Sequence, residues 1–129
     1  MRAKILAIDD EQDQLELLDS LLREEGFDVS TCPNGLEGLE QVEQSRPDLI
    51  LVDAAMPKMN GFAFCEAIRK NAATARIPII MLTGLNTQFA RLNGLAHGAN
   101  IFLPKPFLAE ELTAKINELL HSSAGAPHA

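Results

Sequence analysis

Five short apolar runs punctuate the chain: Ala3 to Ile8, Asp28 to Cys32, Asp48 to Val52, Ile77 to Leu82 and Ala99 to Leu103. Three of them are rich in Ile, Leu and Val without polar alternation, the pattern of strands covered on both faces in a parallel sheet. Between and after them apolar residues recur at helical spacing. Leu15, Leu18 and Leu22 mark a first helix, Leu36, Leu39 and Val42 a second, and Phe64, Ala67 and Ile68 a third. Phe89, Leu92 and Ala96 mark a fourth, and Leu112, Ile116 and Leu119 a fifth. Gly26, Pro47, Pro78 and Gly98 fall at the breaks, where helix ends and turns need them. Strictly alternating strands and helices with short connections predict an α/β fold: an open, doubly wound parallel sheet with right-handed crossovers.

At 129 residues the chain is expected to form one domain, residues 1–121. The tail "HSSAGAPHA" from His121, small and polar, reads as a frayed end or the start of a linker over 122–129. No apolar run approaches the roughly 20 residues that span a bilayer, and the basic start is followed by too short an apolar stretch for a signal peptide. A cytoplasmic protein with no membrane partner is expected. Cys32 and Cys65 lack metal or redox spacing and read as small buried hydrophobes. A net charge of −7 without a basic stripe argues against direct nucleic-acid binding. The turn after the first strand, "IDDEQ", is likewise no phosphate-binding glycine loop.

Ligand sites of open parallel sheets lie beyond the carboxyl ends of the strands. Here the first strand ends in Asp9 and Asp10, the third in Asp53, the fourth in Thr83 and the fifth in Lys105. Singly, each has a plain reading: Asp10 as a helix cap, Asp53 or Thr83 as a turn cap, Lys105 as a solvated charge. Together they place three carboxylates, a hydroxyl and an ammonium on one edge. Two carboxylates about 4 Å apart repel by roughly 4 kcal/mol at an effective dielectric near 20, more than one Lys offsets. Hard oxygen donors of this kind suit Mg²⁺, which allows a phosphoryl group to approach an anionic Asp. Thr83 and Lys105 then supply a hydrogen bond and a charge to the phosphoryl oxygens.

With these residues in place, the chain resembles the receiver domains of two-component response regulators over about residues 3 to 120. The likeness rests on "DD" at Asp9 and Asp10, "DAAMPKMNG" from Asp53 to Gly61, "LTG" at Leu82 to Gly84, "HGA" at His97 to Ala99 and "KPF" at Lys105 to Phe107. The resemblance implies a flavodoxin-like fold with strand order 2-1-3-4-5 and helices on both faces. It implies that Asp53 accepts a phosphoryl group from a phosphohistidine on a sensor histidine kinase or histidine phosphotransfer protein. Asp10, Asp53 and the backbone carbonyl of Ala55 would ligate Mg²⁺, Asp9 mainly through water. Thr83 and Lys105 would hold the phosphoryl group, with a cis bond before Pro106. Thr83 and Phe102 would form the switch, remodelling the surface of the fourth helix, fifth strand and fifth helix for a downstream protein or a covalently linked output domain. Phe102 keeps a second reading as a core aromatic of a short strand.

Some positions depart from the family's common variants. By the resemblance, Ala55 and Leu85 occupy the two places whose side chains flank the path of the attacking water in the family, and neither residue type could hydrogen-bond it. Asn100, Ile101 and Glu110 stand where regulators that dimerise through a charged face often carry acids and an Arg. Two other functions remain open: an aspartyl-phosphate phosphohydrolase, which generally needs an acid where Ala55 stands, and an interaction domain that is never phosphorylated. A stand-alone regulator and the N-terminal part of a longer chain fit equally.

Overall fold

The computed structural model describes residues 2–84 and 87–125, the side chains of 122–125 excepted; Leu85 lies outside this set. The strands are β1 (Lys4–Ile8), β2 (Asp28–Cys32), β3 (Leu49–Asp53), β4 (Ile79–Thr83) and β5 (Ile101–Pro104). The helices are α1 (Gln12–Glu24), α2 (Gly35–Ser45), α3 (Gly61–Lys70), α4 (Gln88–Ala96) and α5 (Ala109–Gly125). All strands pair in parallel in the order β2-β1-β3-β4-β5. α5 runs on through Gly125, into the segment read from sequence as the tail.

Alternate side chains of each strand feed two cores. Leu6, Ile8, Ile50, Val52, Ile79 and Met81 face Val42 of α2 and Phe64 and Ile68 of α3. Ile5, Ala7, Leu49, Leu51, Ile80 and Leu82 face Leu15, Leu18 and Leu22 of α1 and Leu112 and Ile116 of α5. Burial on both faces explains why β3 and β4, the inner strands beside the site, carry no polar residue until their last position. Both cysteines are free and buried.

β3 and β4 each end one residue later than their apolar pattern suggests, so that Asp53 and Thr83 close them within the ladder, whereas β1 ends at Ile8 and leaves Asp9 to the turn. β4 starts only at Ile79 and β5 at Ile101; Pro78 has no amide to donate, and its carbonyl instead accepts from Ile50. Pro104 ends β5 on the sheet's edge, where a missing donor is tolerated.

The fourth helix corrects the sequence reading. Phe89 and Leu92 are 77% and 57% exposed, and the residues α4 buries are Ala90 and Gly94. The space beneath the helix is filled from the sheet side by Met81 and Phe102, which leaves room only for small residues on its inner face.

Helix starts are fixed locally. The side chains of Asn34, Asn60 and Thr87 accept from the amides of Glu37, Ala63 and Ala90 at 2.9–3.0 Å, capping α2, α3 and α4. α1 differs: its N-cap is Glu11, which makes no side-chain cap, and Asp10 stands before it. The capping role considered for Asp10 is thus not taken up.

Arg69 ties the opposite end of the sheet. Its guanidinium donates to the carbonyls of Gly98, Ala75 and Ile77 and to Oδ1 of Asn100, which also accepts the amide of Ile79. Asn100 is therefore a brace between the starts of β4 and β5.

Candidate functional site

The turn after β1, the ends of β3 and β4 and the turn after β5 bring Asp9, Asp10, Asp53, Thr83 and Lys105 to one edge. Each of the three carboxylates offers an oxygen lying within 4.8 Å of the others, a donor set able to hold a cation. Asp10 is exposed at the mouth, whereas Asp9 and Asp53 are only 2% and 7% exposed. The hard, anionic oxygens fit a divalent cation such as those held by oxygen ligands elsewhere.

Asp9 is the anchored member. Its Oδ1 accepts the amide of Glu11 at 3.0 Å, its Oδ2 accepts from Lys105 Nζ at 2.9 Å, and its own amide donates to the carbonyl of Cys32. Lys105 Nζ lies 3.9 Å from Asp53 Oδ2. One ammonium therefore serves two buried carboxylates, nearer to the first.

Burial pushes the Asp53 carboxyl above its usual range. Lys105 opposes this, the charge of Asp9 adds to it, and hydrogen bonds from the Thr83 hydroxyl and the main chain of Ala55 oppose it. The balance leaves Asp53 a carboxylate short of positive charge, the state in which a cation or a proton is most welcome.

The loop from β3 to α3 holds this geometry through one glycine. A Cβ on Gly61 would lie 2.3 Å from the carbonyl oxygen of Asp53 and 2.9 Å from Cα of Ala54, and the Gly61 amide donates to the carbonyl of Ala54. Only glycine lets α3 start this close to the site. Lys58 in the same loop takes a left-handed conformation, φ 69°. After β5 the Lys105–Pro106 peptide is cis, and the Lys105 amide donates to the carbonyl of Thr83 at 2.8 Å, which fixes the two ends together.

Phe102 is buried in the core beneath α4, opposite Met81 in the β4–β5 register. Ala55 is exposed beside Asp53. Sequence reading missed the surface next to Lys105. Gln14, Leu17, Lys105, Pro106 and Phe107 line an apolar cleft of about 310 Å³, and Leu17 and Leu108 are 56% and 68% exposed. Leu17 lies off the buried stripe of α1, and that offset was the available signal.

Comparison with known proteins gives the same picture. Residues 5–117 match the response regulator receiver domain family. A transcriptional regulatory protein CpxR homolog of Haemophilus influenzae is 43% identical over 95% of this chain and 52% of its own length. The chain spans about half the length of the curated relatives it matches. The chemotaxis protein CheY4 of Vibrio cholerae superposes with a TM-score of 0.87 at 34% identity, covering 92% of this chain and 99% of that one. The receiver domain of a sensor histidine kinase from Pseudomonas aeruginosa PAO1, solved with a magnesium ion coordinated in its active site cleft, gives 0.88 at 30% identity, covering 95% and 100%. The chain belongs to the response regulator receiver domain family of two-component signalling.

Proposed function

We propose that Asp53 is the phosphoacceptor of this receiver and that Asp10, Asp53 and the backbone carbonyl of Ala55 hold Mg²⁺ directly, with Asp9 behind them through water. The observation that carries the reading is the cluster itself: three carboxylates, each offering an oxygen within 4.8 Å of the others, two of them buried, with Lys105 the one cation paired to them among the described residues. Bound Mg²⁺ supplies the positive charge that lets an anionic phosphoryl group meet an anionic nucleophile.

The donor is a phosphohistidine on a sensor histidine kinase or histidine phosphotransfer protein. An oxygen of Asp53 forms the new P–O bond as the P–N bond breaks, and the departing imidazole nitrogen keeps the electron pair and takes up a proton. The Thr83 hydroxyl donates to one phosphoryl oxygen and Lys105 turns its ammonium from Asp9 to another. The apolar cleft of Leu17, Pro106 and Phe107, with Leu108 beside it, gives the donor protein a surface to rest on next to Lys105.

Acceptance of the phosphoryl group is read out through Thr83 and Phe102 onto the surface of α4, β5 and α5, which meets a downstream protein or a linked output domain. DNA contact, where a longer protein makes it, is assigned outside these residues, whose net charge is −7. A cytoplasmic setting accords with the described residues, in which no helix is long and apolar enough to cross a membrane. Beryllofluoride, which mimics a phosphoryl group, tests the assignment: with Mg²⁺ it should bind the wild type and not Asp53→Asn. Equal behaviour of the two proteins would refute it.

A further inference from the structure

We infer that Gly94 is a positioning residue for the switch: the missing Cβ lets the Phe102 ring lie inward beneath α4, and this sets how readily Asp53 takes a phosphoryl group. The inference rests on the roles proposed above for Asp53 and Phe102.

Glycine is unfavourable inside a helix relative to alanine, so its presence in α4 calls for a reason. Backbone conformation does not provide one, because the left-handed glycines are Gly26 and Gly98, not Gly94. Space does. A Cβ at Gly94 would lie 3.0 Å from Met81 Sδ and 3.2 Å from Phe102 Cδ1. Both neighbours belong to one core cluster, but Met81 is fully buried on the inner strand β4, whereas the Phe102 ring, 6% exposed, stands on the edge strand β5 and is the one with a way out to solvent.

α4 depends on that ring in turn. Ala90 and Gly94 are its buried residues, and its large side chains Phe89 and Leu92 point to solvent. A helix that contributes so little of its own to the core takes its seat from what lies beneath it. The ring is also connected to the site: Phe102 pairs with Met81, Met81 pairs with Val52, and these stand next to Asp53 and two residues before Thr83. Crowding at Gly94 therefore disfavours the inward ring and, by reciprocity of coupling, whatever at Asp53 favours it.

The test uses the intact chain labelled with fluorophenylalanine, with the Phe102 resonance assigned by its loss in Phe102→Leu. Gly94→Ala should shift that resonance toward its solvent-exposed position and weaken Mg²⁺-dependent beryllofluoride binding by about five- to tenfold. In a Phe102→Leu background, where no ring competes for the space, the same substitution should change affinity by less than about twofold. If Gly94→Ala alone folds poorly, the Gly94→Ala/Phe102→Leu pair carries the test through its affinity relative to Phe102→Leu. An unmoved resonance, an unchanged affinity, or an equal loss in both backgrounds overturns the inference, the last showing a purely structural role. A wild type that binds no beryllofluoride overturns the phosphoacceptor assignment itself, and this inference with it.

Discussion

Lys105 lies 2.9 Å from Asp9 and 3.9 Å from Asp53, so the ammonium of the site is bonded to the carboxylate that is not the proposed nucleophile. Lys105 thus has two tasks, balancing a buried acid at rest and contacting the phosphoryl group afterwards. Lys105→Met should lower stability at neutral pH by about 2 kcal/mol, less than for a fully buried pair because the Lys side chain keeps 18% exposure. In an Asp9→Asn background the same change should cost much less. Denaturant melts of the four proteins measure the difference as a coupling energy.

Asp9 and Asp10 should separate under substitution. Asp10 is exposed and outside the hydrogen-bond framework described above, so Asp10→Asn should remove most Mg²⁺ affinity while leaving the melting midpoint unchanged. Asp9→Asn should weaken Mg²⁺ binding by about tenfold as an outer partner and also disturb the Lys105 and Glu11 bonds. Calorimetric Mg²⁺ titration paired with thermal melts distinguishes the two.

The raised carboxyl of Asp53 gives a pH dependence whose sign is fixed. The native state holds this proton more tightly than the unfolded chain, so stability is lost as pH rises from the ordinary carboxylate range through the elevated native value. Without metal, Asp53→Asn should lack that slope and melt higher at neutral pH, and Mg²⁺ should raise the midpoint of the wild type alone. A gain of 1 kcal/mol would move the midpoint of a domain this size by about 4 °C.

Gly61→Ala should strike fold and site together. Its Cβ would press on the backbone oxygen of Asp53, which cannot move without opening the end of β3. A loss of about 2 kcal/mol or more is expected, with beryllofluoride binding reduced beyond what the melt explains. Gly26→Ala, where a Cβ meets nothing but the backbone is left-handed, should show the stability loss alone.

Sequence pattern carried the alternation of strands and helices well because β3 and β4 are continuous apolar runs ending in a polar residue, and the first helix buries the very residues that its spacing marks, as the third does with Phe64 and Ile68. α4 reversed its face, since periodicity reports where apolar residues lie but not which side a neighbour has already filled; Phe102 and Met81 occupy the space that Phe89 and Leu92 would have needed. Asp9 and Asp10 are the same residue type side by side, and what separates them is tertiary: the Asp9 amide is held to the carbonyl of Cys32 and its side chain is buried against Lys105, while Asp10 stays exposed at the mouth. The Lys105 bond to Asp9 and the Arg69 brace join residues far apart in the chain, where no local spacing can announce them.

Intact-mass spectrometry after incubation with acetyl phosphate and Mg²⁺ tests the central claim most directly. The account predicts one added phosphoryl group, mapped to Asp53, absent without Mg²⁺ and absent in Asp53→Asn. A phosphoryl group that persists in Asp53→Asn, or a wild type that acquires none, would contradict it.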